Sequence, residues 1–177
     1  MWVPTLWLAL EMQQGTLRTV MGRSSRMMIA DDNAGDRELL RQAILEIGWN
    51  AEIEEAATIT QVISSLRRLA IAGTPPDLLL LDFYMCGESC IPVLETVRGM
   101  SGYEHLPIIV MSTTRPLEPE RQRCFAFGVA KVLVKAPNYV SLIKTVRILK
   151  KSMVGDGSVS GGGSWIGNSD LASLPEQ

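Results

Sequence analysis

The stretch LLLLD at residues 78–82 decides the fold. It follows the Pro75-Pro76 break and consists of four leucines closed by an aspartate. A continuous apolar run of this length, bounded by turn or polar residues, is typical of a central parallel strand that is buried on both faces. Runs of the same kind recur along the chain: MMIA (27–30), PIIVM (107–111) and KVLV (131–134). We therefore predict a parallel sheet that contains LLLLD in its interior.

Segments with helical periodicity separate these strands. In residues 36–47, apolar side chains recur on one helical face, and Gly48 provides a stop signal. Thr58 and Gln61, three residues apart, predict a capping box that opens a helix ending near Ala72. A weaker strand is predicted at 51–56, at an edge of the sheet, and further helices at 91–99, 118–127 and 139–152. This alternation predicts an α/β fold with a parallel sheet and helices on both of its faces.

The composition excludes several classes of protein. The 177 residues suffice for one ordinary domain with tails, and 46% apolar residues allow a hydrophobic core. A net charge of −2 offers no large basic surface for nucleic acid or for an anionic membrane. One histidine and three cysteines argue against a multi-histidine metal site and against a disulfide framework. We therefore expect a cytoplasmic protein that binds neither nucleic acid nor membrane.

The two ends of the chain differ from its centre. We predict an N-terminal extension at 1–25, either disordered or the product of a start assigned too far upstream. Its alternative role is a docking segment that uses Trp2 and Trp7. The domain itself is expected at 26–152. Residues 153–177 are rich in Gly and Ser, which predicts a flexible tail.

Polar residues that can carry chemistry follow four of the predicted strands. Asp31 and Asp32 come after the first strand, and Asp82, Ser112 and Lys135 come after the third, fourth and fifth. Because ligands bind beyond the carboxyl ends of parallel strands, we expect all five side chains to converge on one rim. Taken singly, each residue has a simpler interpretation. The paired aspartates would cap a helix, and the other three would be ordinary turn or solvated loop residues.

The three carboxylates of this set predict a metal and a reaction. Neighbouring carboxylates repel each other unless a hard cation joins them, and oxygen ligands suit Mg²⁺. A carboxylate beside Mg²⁺ and a lysine is also suited to attack phosphorus, which would form an aspartyl phosphate. The residues therefore predict Mg²⁺ as the cofactor and phosphoryl transfer as the chemistry.

This residue set resembles the site of the receiver domains of two-component response regulators, the CheY-like proteins. The resemblance rests on Asp-Asp in IADDN, Asp in LLLLDFYM, Ser in VMST and Lys in VLVKAP, and it covers about residues 26–152. It implies a flavodoxin-like (βα)5 fold, a doubly wound sheet of five parallel strands in the order 2-1-3-4-5. It also implies that Asp82 accepts a phosphoryl group from a phosphohistidine of a sensor kinase or a phosphotransfer protein.

The resemblance also implies a role for each neighbouring group. Ser112 would hydrogen-bond the phosphoryl oxygens, and Lys135 would form an ion pair with them. Within the family, the segments ADDNAGDRELLRQAI and STT resemble the short regulators that partner bacterial phytochrome kinases. Mg²⁺ would be held by three carboxylates and one backbone carbonyl: those of Asp31, Asp32, Asp82 and Tyr84.

The chain departs from the family's pattern in four places. Cys86 stands where the family usually has the proline of Met-Pro, and Ser89-Cys90 stands in place of a later Asp-Gly. Ala136 interrupts the usual Lys-Pro pair, and Val132 replaces a switching Tyr or Phe. The switch region implied by the resemblance comprises Ser112, Thr113 and Val132. Since Val132 has no aromatic ring, we expect the signal to leave through another element, such as the loop and helix after Ser112.

We predict a response regulator made of a single receiver domain, which signals by phosphorylation-switched binding of a downstream target protein and is not an enzyme. The alternative is a pseudo-receiver that binds its partner without phosphorylation, which the departures favour and the intact residue set disfavours. A small-molecule phosphatase is disfavoured because Tyr84 stands where such enzymes usually carry a second aspartate. The Tyr84 ring is instead expected to hinder attacking water. A homodimer through the last helices is common in the family, and no residue here selects it.

Overall fold

The protein is described by a computed structural model that covers residues 24–154 and 164–166. Its helices are α1 (Ala34–Glu46), α2 (Ile59–Ile71), α3 (Ile91–Arg98), α4 (Glu118–Ala126) and α5 (Tyr139–Val154). Its strands are β1 (Ser25–Ala30), β2 (Ala51–Ala56), β3 (Leu78–Asp82), β4 (Tyr84–Met85), β5 (Glu88–Ser89), β6 (Ile108–Ser112), β7 (Lys131–Val134) and β8 (Ser164–Ile166). Nearly all of the predicted extension at 1–25 lies outside the described residues, as does most of the predicted tail at 153–177.

The main sheet has the strand order β2-β1-β3-β6-β7-β8, and all of its neighbouring strands are parallel. Its first five strands have the predicted order 2-1-3-4-5, so the flavodoxin-like fold is confirmed. β3 is buried along its whole length because it pairs with β1 on one side and β6 on the other. β8 adds a sixth strand beside β7, which the Gly- and Ser-rich composition of the tail does not predict.

The sheet separates two hydrophobic cores because successive side chains of a strand point to opposite faces. One core contains Leu79 and Val110 from the sheet and is covered by α2, α3 and α4. The other contains Leu78 and Ile109 and is covered by α1 and α5. Cover on both faces explains why the interior strands are continuous apolar runs without alternation.

Side chains cap the first turns of α1 and α2. Thr58 accepts a hydrogen bond from Gln61 N–H at 3.2 Å, which confirms the predicted cap, although the Gln61 side chain bonds to Ala57 N–H and not to Thr58 N–H. α1 begins at Ala34, two residues earlier than predicted, because Asn33 caps it. Among residues 24–154, no helix is both long and apolar enough to cross a membrane.

Candidate functional site

Three carboxylates converge at the carboxyl ends of β1 and β3. One oxygen atom from each of Asp31, Asp32 and Asp82 lies within 4.8 Å of the others. This convergence follows from the parallel register, in which Ala30 at the end of β1 pairs with Leu81 in β3. Asp31 and Asp82 are buried, whereas Asp32 is exposed. The structure therefore brings together the three aspartates that the sequence places after these strands.

Asp31 and Asp32 do not cap α1. Asn33 has this role, because its side-chain oxygen accepts hydrogen bonds from Gly35 N–H at 2.8 Å and from Asp36 N–H at 3.3 Å. Asp31 Oδ1 accepts a hydrogen bond from Asn33 N–H at 3.0 Å, which stabilises the turn between β1 and α1. The simpler interpretation of the paired aspartates as helix caps is therefore wrong.

Burial makes the negative charge of this site costly. Burial, followed by the charge of Asp31, raises the pKa of Asp82 from 3.8 to about 6. Burial also raises the pKa of Asp31, although the close contact with the Lys135 ammonium opposes this change. A buried carboxylate is stable only when a proton or a neighbouring positive charge compensates it. When ionised, the two buried aspartates therefore need positive charge beside them.

Lys135, directly after β7, supplies one positive charge. Its ammonium nitrogen lies 2.7 Å from Asp31 Oδ2, 2.8 Å from Asp36 Oδ2 and 3.3 Å from Asp82 Oδ2. Burial acts to lower the pKa of Lys135, but the close contacts with Asp31 and Asp36 and the negative charges of Asp31 and Asp82 together outweigh burial and raise it. The backbone N–H of Lys135 donates a 2.8 Å hydrogen bond to the Ser112 carbonyl, which joins the lysine to the end of β6.

Asp36 is a member of this site that the pattern of strand ends does not predict. It lies in the first turn of α1, which begins shortly after β1 ends. A helix that begins directly after a parallel strand has its first turn beside the carboxyl ends of the strands. From this position, the sequence could have indicated Asp36 as a member of the site. An acidic residue in the first turn of a helix is ordinarily explained by its interaction with the helix dipole. This explanation gives no reason to expect that Asp36 contacts Lys135.

The three residues assigned to the switch region lie in different surroundings. Ser112, at the end of β6, is buried at the same rim as the aspartates, and Thr113 after it is exposed. Val132 lies in the middle of β7, where it pairs with Val110 and is fully buried in the core beneath α2, α3 and α4. Two of the three residues are therefore at the rim, and the third is inside the core.

The loop after Asp82 forms a small hairpin, β4–β5, which the sequence does not predict. Its two turn residues, Cys86 and Gly87, have positive φ angles of 52° and 81°, as in a type I′ turn. Cys86 N–H donates a 2.7 Å hydrogen bond to Asp32 Oδ2. Proline, which the resemblance leads us to expect at Cys86, has no N–H and cannot adopt positive φ. The loop therefore reaches the acidic site through a contact that proline could not make.

Tyr84 connects this hairpin to α4. Its hydroxyl donates a 2.7 Å hydrogen bond to Glu120 Oε1, and Glu120 Oε2 accepts a 2.9 Å hydrogen bond from Leu117 N–H. The Tyr84 ring packs edge-to-face on Phe83, with 4.8 Å between the ring centroids. About half of the Tyr84 side chain remains exposed at the rim, at 48%. The role of its backbone carbonyl as a metal ligand stays a prediction.

The acidic triad could bind a hard divalent cation. Its three carboxylates offer oxygen atoms, the donor type that Mg²⁺ prefers. Asp31 Oδ2 is buried and accepts no well-aligned hydrogen bond within residues 24–154, although it forms the ion pair with Lys135. A divalent cation would supply the additional positive charge that two buried carboxylates and one exposed carboxylate require. The donor chemistry of the residues therefore fits Mg²⁺.

Comparison with known proteins agrees with this geometry. Residues 27–147 match the model of the family described as the response regulator receiver domain. Among curated proteins, the chain is 29% identical over 133 residues to the sensory/regulatory protein RpfC of Xanthomonas campestris pv. campestris. The match covers 73% of this chain and 17% of RpfC, so the chain spans less than a fifth of that relative.

Solved response regulators share the fold. RcpA, a phosphorylated cyanobacterial phytochrome response regulator, has a TM-score of 0.67 at 19% identity, over 76% of this chain and 96% of its own. RPA3017, a response regulator in red light signaling of R. palustris, has a TM-score of 0.67 at 21% identity, over 76% and 96%. The Mn²⁺-bound form of Rcp1 has a TM-score of 0.63 at 16% identity, over 77% and 99%. At these identities the likeness shows the fold alone.

Proposed function

Because the chain belongs to the response regulator receiver domain family of two-component signalling, we propose that Asp82 accepts a phosphoryl group from a phosphohistidine. The donor is a sensor histidine kinase or a phosphotransfer protein, and phosphorylation switches the binding of a downstream target protein. One observation carries this proposal. Asp82 lies at the end of β3, 3.3 Å from the Lys135 ammonium and within 4.8 Å of carboxylate oxygens of Asp31 and Asp32.

Asp82 is the nucleophile of the proposed reaction. One of its carboxylate oxygens forms a bond to phosphorus, while the P–N bond to the donor histidine breaks and its electron pair remains on the imidazole. Burial raises the pKa of Asp82 to about 6, which makes it more basic than an ordinary aspartate. At neutral pH the group is nevertheless mostly ionised, so it combines nucleophilicity with the required charge state.

The neighbouring residues are proposed to stabilise the phosphoryl group. Lys135 is charged and close to Asp82, so its ammonium can form an ion pair with a phosphoryl oxygen. Ser112 lies at the same rim, and its hydroxyl would donate a hydrogen bond to a second phosphoryl oxygen. When bound, Mg²⁺ would offset the negative charge of the phosphoryl oxygens and of the aspartates. Its proposed ligands are the carboxylates of Asp31, Asp32 and Asp82 and the carbonyl of Tyr84.

The loop between Ser112 and α4 is the proposed switch element. A phosphoryl group adds about two negative charges at the acceptor and attracts the Ser112 hydroxyl. Thr113 follows in the same loop, so its movement would alter the surface of α4. Val132 has no ring that could move in response, whereas the hydrogen bond between Tyr84 and Glu120 links the acceptor loop directly to α4. This contact supports an output through α4.

The proposed donor kinase is of the phytochrome type. The segments ADDNAGDRELLRQAI and STT support this assignment. So do RcpA, a phytochrome response regulator, and RPA3017, which acts in red light signaling. We expect a phytochrome-type histidine kinase to phosphorylate this protein faster than an equal concentration of a chemotaxis-type kinase. Equal or reversed rates of phosphotransfer would contradict the assignment.

Incubation with Mg²⁺ and acetyl phosphate tests the acceptor directly. Intact mass spectrometry should show a single phosphoryl adduct on the wild-type protein. The adduct should be absent from Asp82→Asn and from samples in which EDTA has removed divalent cations. Glu95→Gln removes an exposed carboxylate from α3 and should be phosphorylated like the wild type.

The same experiment distinguishes the competing functions. If the wild type forms no adduct in Mg²⁺, a binding module that acts without phosphorylation is the better assignment. If inorganic phosphate accumulates from many phosphoesters without a stable adduct, the protein is a phosphatase. An adduct that persists in Asp82→Asn would show that the acceptor has been assigned wrongly.

A further inference from the structure

Asp36 contacts Lys135 almost as closely as Asp31 does, and more closely than Asp82 does. The distance from Asp36 Oδ2 to Lys135 Nζ is 2.8 Å, against 2.7 Å for Asp31 and 3.3 Å for Asp82. The side chains of Lys135 and Asp36 are only 17% and 35% exposed, so the ion pair is partly shielded from water. Asp36 does not belong to the group of carboxylates whose oxygens lie together as potential metal ligands.

We propose that Asp36 is a positioning residue, which anchors the Lys135 ammonium so that it is directed at the phosphoryl group on Asp82. This inference rests on the proposed function. An ammonium has three N–H donors and no acceptor. Here three carboxylates surround it, from β1, from α1 and from β3. Asp36 provides the contact from the helix.

Two of these three contacts change during the proposed reaction. Asp82 would carry the phosphoryl group as an acyl phosphate, and Asp31 would be a ligand of the cation, so both would have less charge to offer the lysine. The Asp36 carboxylate has neither task, and its contact with the ammonium can persist throughout. It therefore holds the lysine in place at the stage when Lys135 must bind a phosphoryl oxygen.

Two simpler roles for Asp36 make different predictions. An acidic side chain in the first turn of a helix interacts favourably with the helix dipole, which affects stability and needs no lysine. The cap of α1 itself is provided by the Asn33 side chain, so the Asp36 carboxylate is not needed there. If Asp36 acted only through the long-range repulsion of its charge, its removal would accelerate phosphorylation by an anionic phosphodonor. The positioning role predicts a slower reaction.

The test compares Asp36→Asn with Glu38→Gln. Both substitutions remove one negative charge from α1, but Glu38 is paired with Arg41 on the exposed surface and does not contact Lys135. With phosphoramidate as the donor and saturating Mg²⁺, intact mass spectrometry gives the rate of phosphorylation. We expect Asp36→Asn to react about fivefold more slowly than the wild type, because its lysine is less well oriented. Glu38→Gln should react at the wild-type rate, and Asp36→Glu should recover most of the loss.

A double-mutant cycle shows whether Asp36 acts through the lysine. In a Lys135→Met background, followed over longer incubations, Asp36→Asn should cause no further slowing. A slowing by the same factor in both backgrounds, or a rate for Asp36→Asn at or above that of the wild type, would overturn the inference. A wild type that forms no adduct contradicts the proposed function itself, whereas an adduct formed at equal rates by wild type and Asp36→Asn contradicts only the role of Asp36.

Discussion

Cys86 shows how one backbone N–H and one dihedral angle shape the acidic site. For a non-glycine residue, a φ of 52° costs roughly 1 kcal/mol of conformational free energy relative to a conformation with negative φ. In return, the turn that it forms with Gly87 directs its N–H to Asp32 Oδ2 at 2.7 Å. The hydrogen bond orients a carboxylate that is exposed. Cys86 therefore ties the acceptor loop to the acidic site through an N–H that the family's usual proline lacks.

Two substitutions at Cys86 should have opposite effects on stability. Cys86→Asn keeps the N–H, and Asn-Gly is the preferred pair for a type I′ turn, so we expect a gain of about 0.5–1 kcal/mol in the free energy of unfolding. Cys86→Pro removes the N–H and cannot adopt positive φ, so we expect a loss of about 3 kcal/mol. Urea denaturation measures both. A Cys86→Pro variant as stable as the wild type would show that the turn is not the one described.

The aspartates, Ser112 and Lys135 are predictable from sequence because each follows a recognisable strand. Parallel strands end at one rim, so the order of the chain alone brings these residues together. The contacts of Asp36 and Cys86 are not predictable in this way. Asp36 depends on the orientation of a side chain in the first turn of α1, and the Cys86 contact depends on a positive φ that cysteine rarely adopts.

At the scale of elements, one hydrogen bond joins the acceptor hairpin to α4. We expect Tyr84→Asn, which removes both the ring and the hydroxyl, to lose its phosphoryl group about fivefold faster because water then reaches the acceptor. Tyr84→Phe keeps the ring but lacks the hydrogen bond to Glu120. Its phosphoryl group should therefore be hydrolysed more slowly than that of Tyr84→Asn. The decay of the phosphoryl adduct, followed by intact mass after removal of the donor, gives these rates.

Tyr139→Phe is a matched control for this series. Tyr139 also donates a hydrogen bond to a glutamate, Glu46, at 2.9 Å, but this pair joins α5 to α1. Its substitution should leave the lifetime of the phosphoryl group unchanged. An unchanged lifetime in Tyr84→Asn would contradict the shielding role of the ring.

Arg98 connects three elements on one side of the sheet. From the end of α3, its guanidinium donates hydrogen bonds to the carbonyls of Tyr103, Leu106, Phe127 and Gly128, at 2.7–3.0 Å. Arg98→Met keeps most of the apolar stem but leaves these carbonyls without their charged donor, so we expect a loss of about 3 kcal/mol in the free energy of unfolding. Arg123→Met, at an exposed position of α4, should change it by less than about 0.5 kcal/mol. Thermal and urea denaturation distinguish the two variants.

Elements are predictable from sequence where burial dictates their pattern. β3 is an unbroken leucine run because it is covered on both faces, and its end at Asp82 lies within one residue of the prediction. The hairpin of β4 and β5 has only two residues in each strand and a Cys-Gly turn, too little for any periodicity. β8 pairs with β7 through backbone hydrogen bonds. Such pairing at a sheet edge does not depend on residue type, so the amino-acid composition does not predict it.

On the scale of the whole molecule, the fold holds two carboxylates in a place where they destabilise it. The two cores on either side of the sheet fix the strand ends, and the strand ends bury Asp31 and Asp82. The energy that this arrangement costs is recovered when a cation or a proton neutralises the site. The stability of the metal-free protein should therefore depend on pH, and a cation bound at neutral pH should offset the loss of stability there.

The pKa of Asp82 gives the direction of this dependence. Because burial raises it from 3.8 to about 6, the folded state binds the proton more tightly than the unfolded state. Stability of the metal-free protein should therefore fall as pH rises from about 4 to about 6 and then level off, with Asp82 accounting for up to about 3 kcal/mol. Asp82→Asn removes this contribution, so in EDTA the variant should be more stable than the wild type at pH 7.5 and not at pH 4.

Mg²⁺ should reverse the ranking at neutral pH. Mg²⁺ bound at the proposed site would stabilise only the folded protein, so at pH 7.5 it should raise the unfolding temperature of the wild type by mass action and have little effect on Asp82→Asn. At pH 4 the Asp82 carboxyl is mostly protonated, because its pKa is raised to about 6, so Mg²⁺ should stabilise the wild type much less there. Thermal unfolding with Mg²⁺ or EDTA at the two pH values measures all four cases. If Mg²⁺ stabilised both proteins equally at pH 7.5, the cation would be binding elsewhere, and the acidic triad would not be its site.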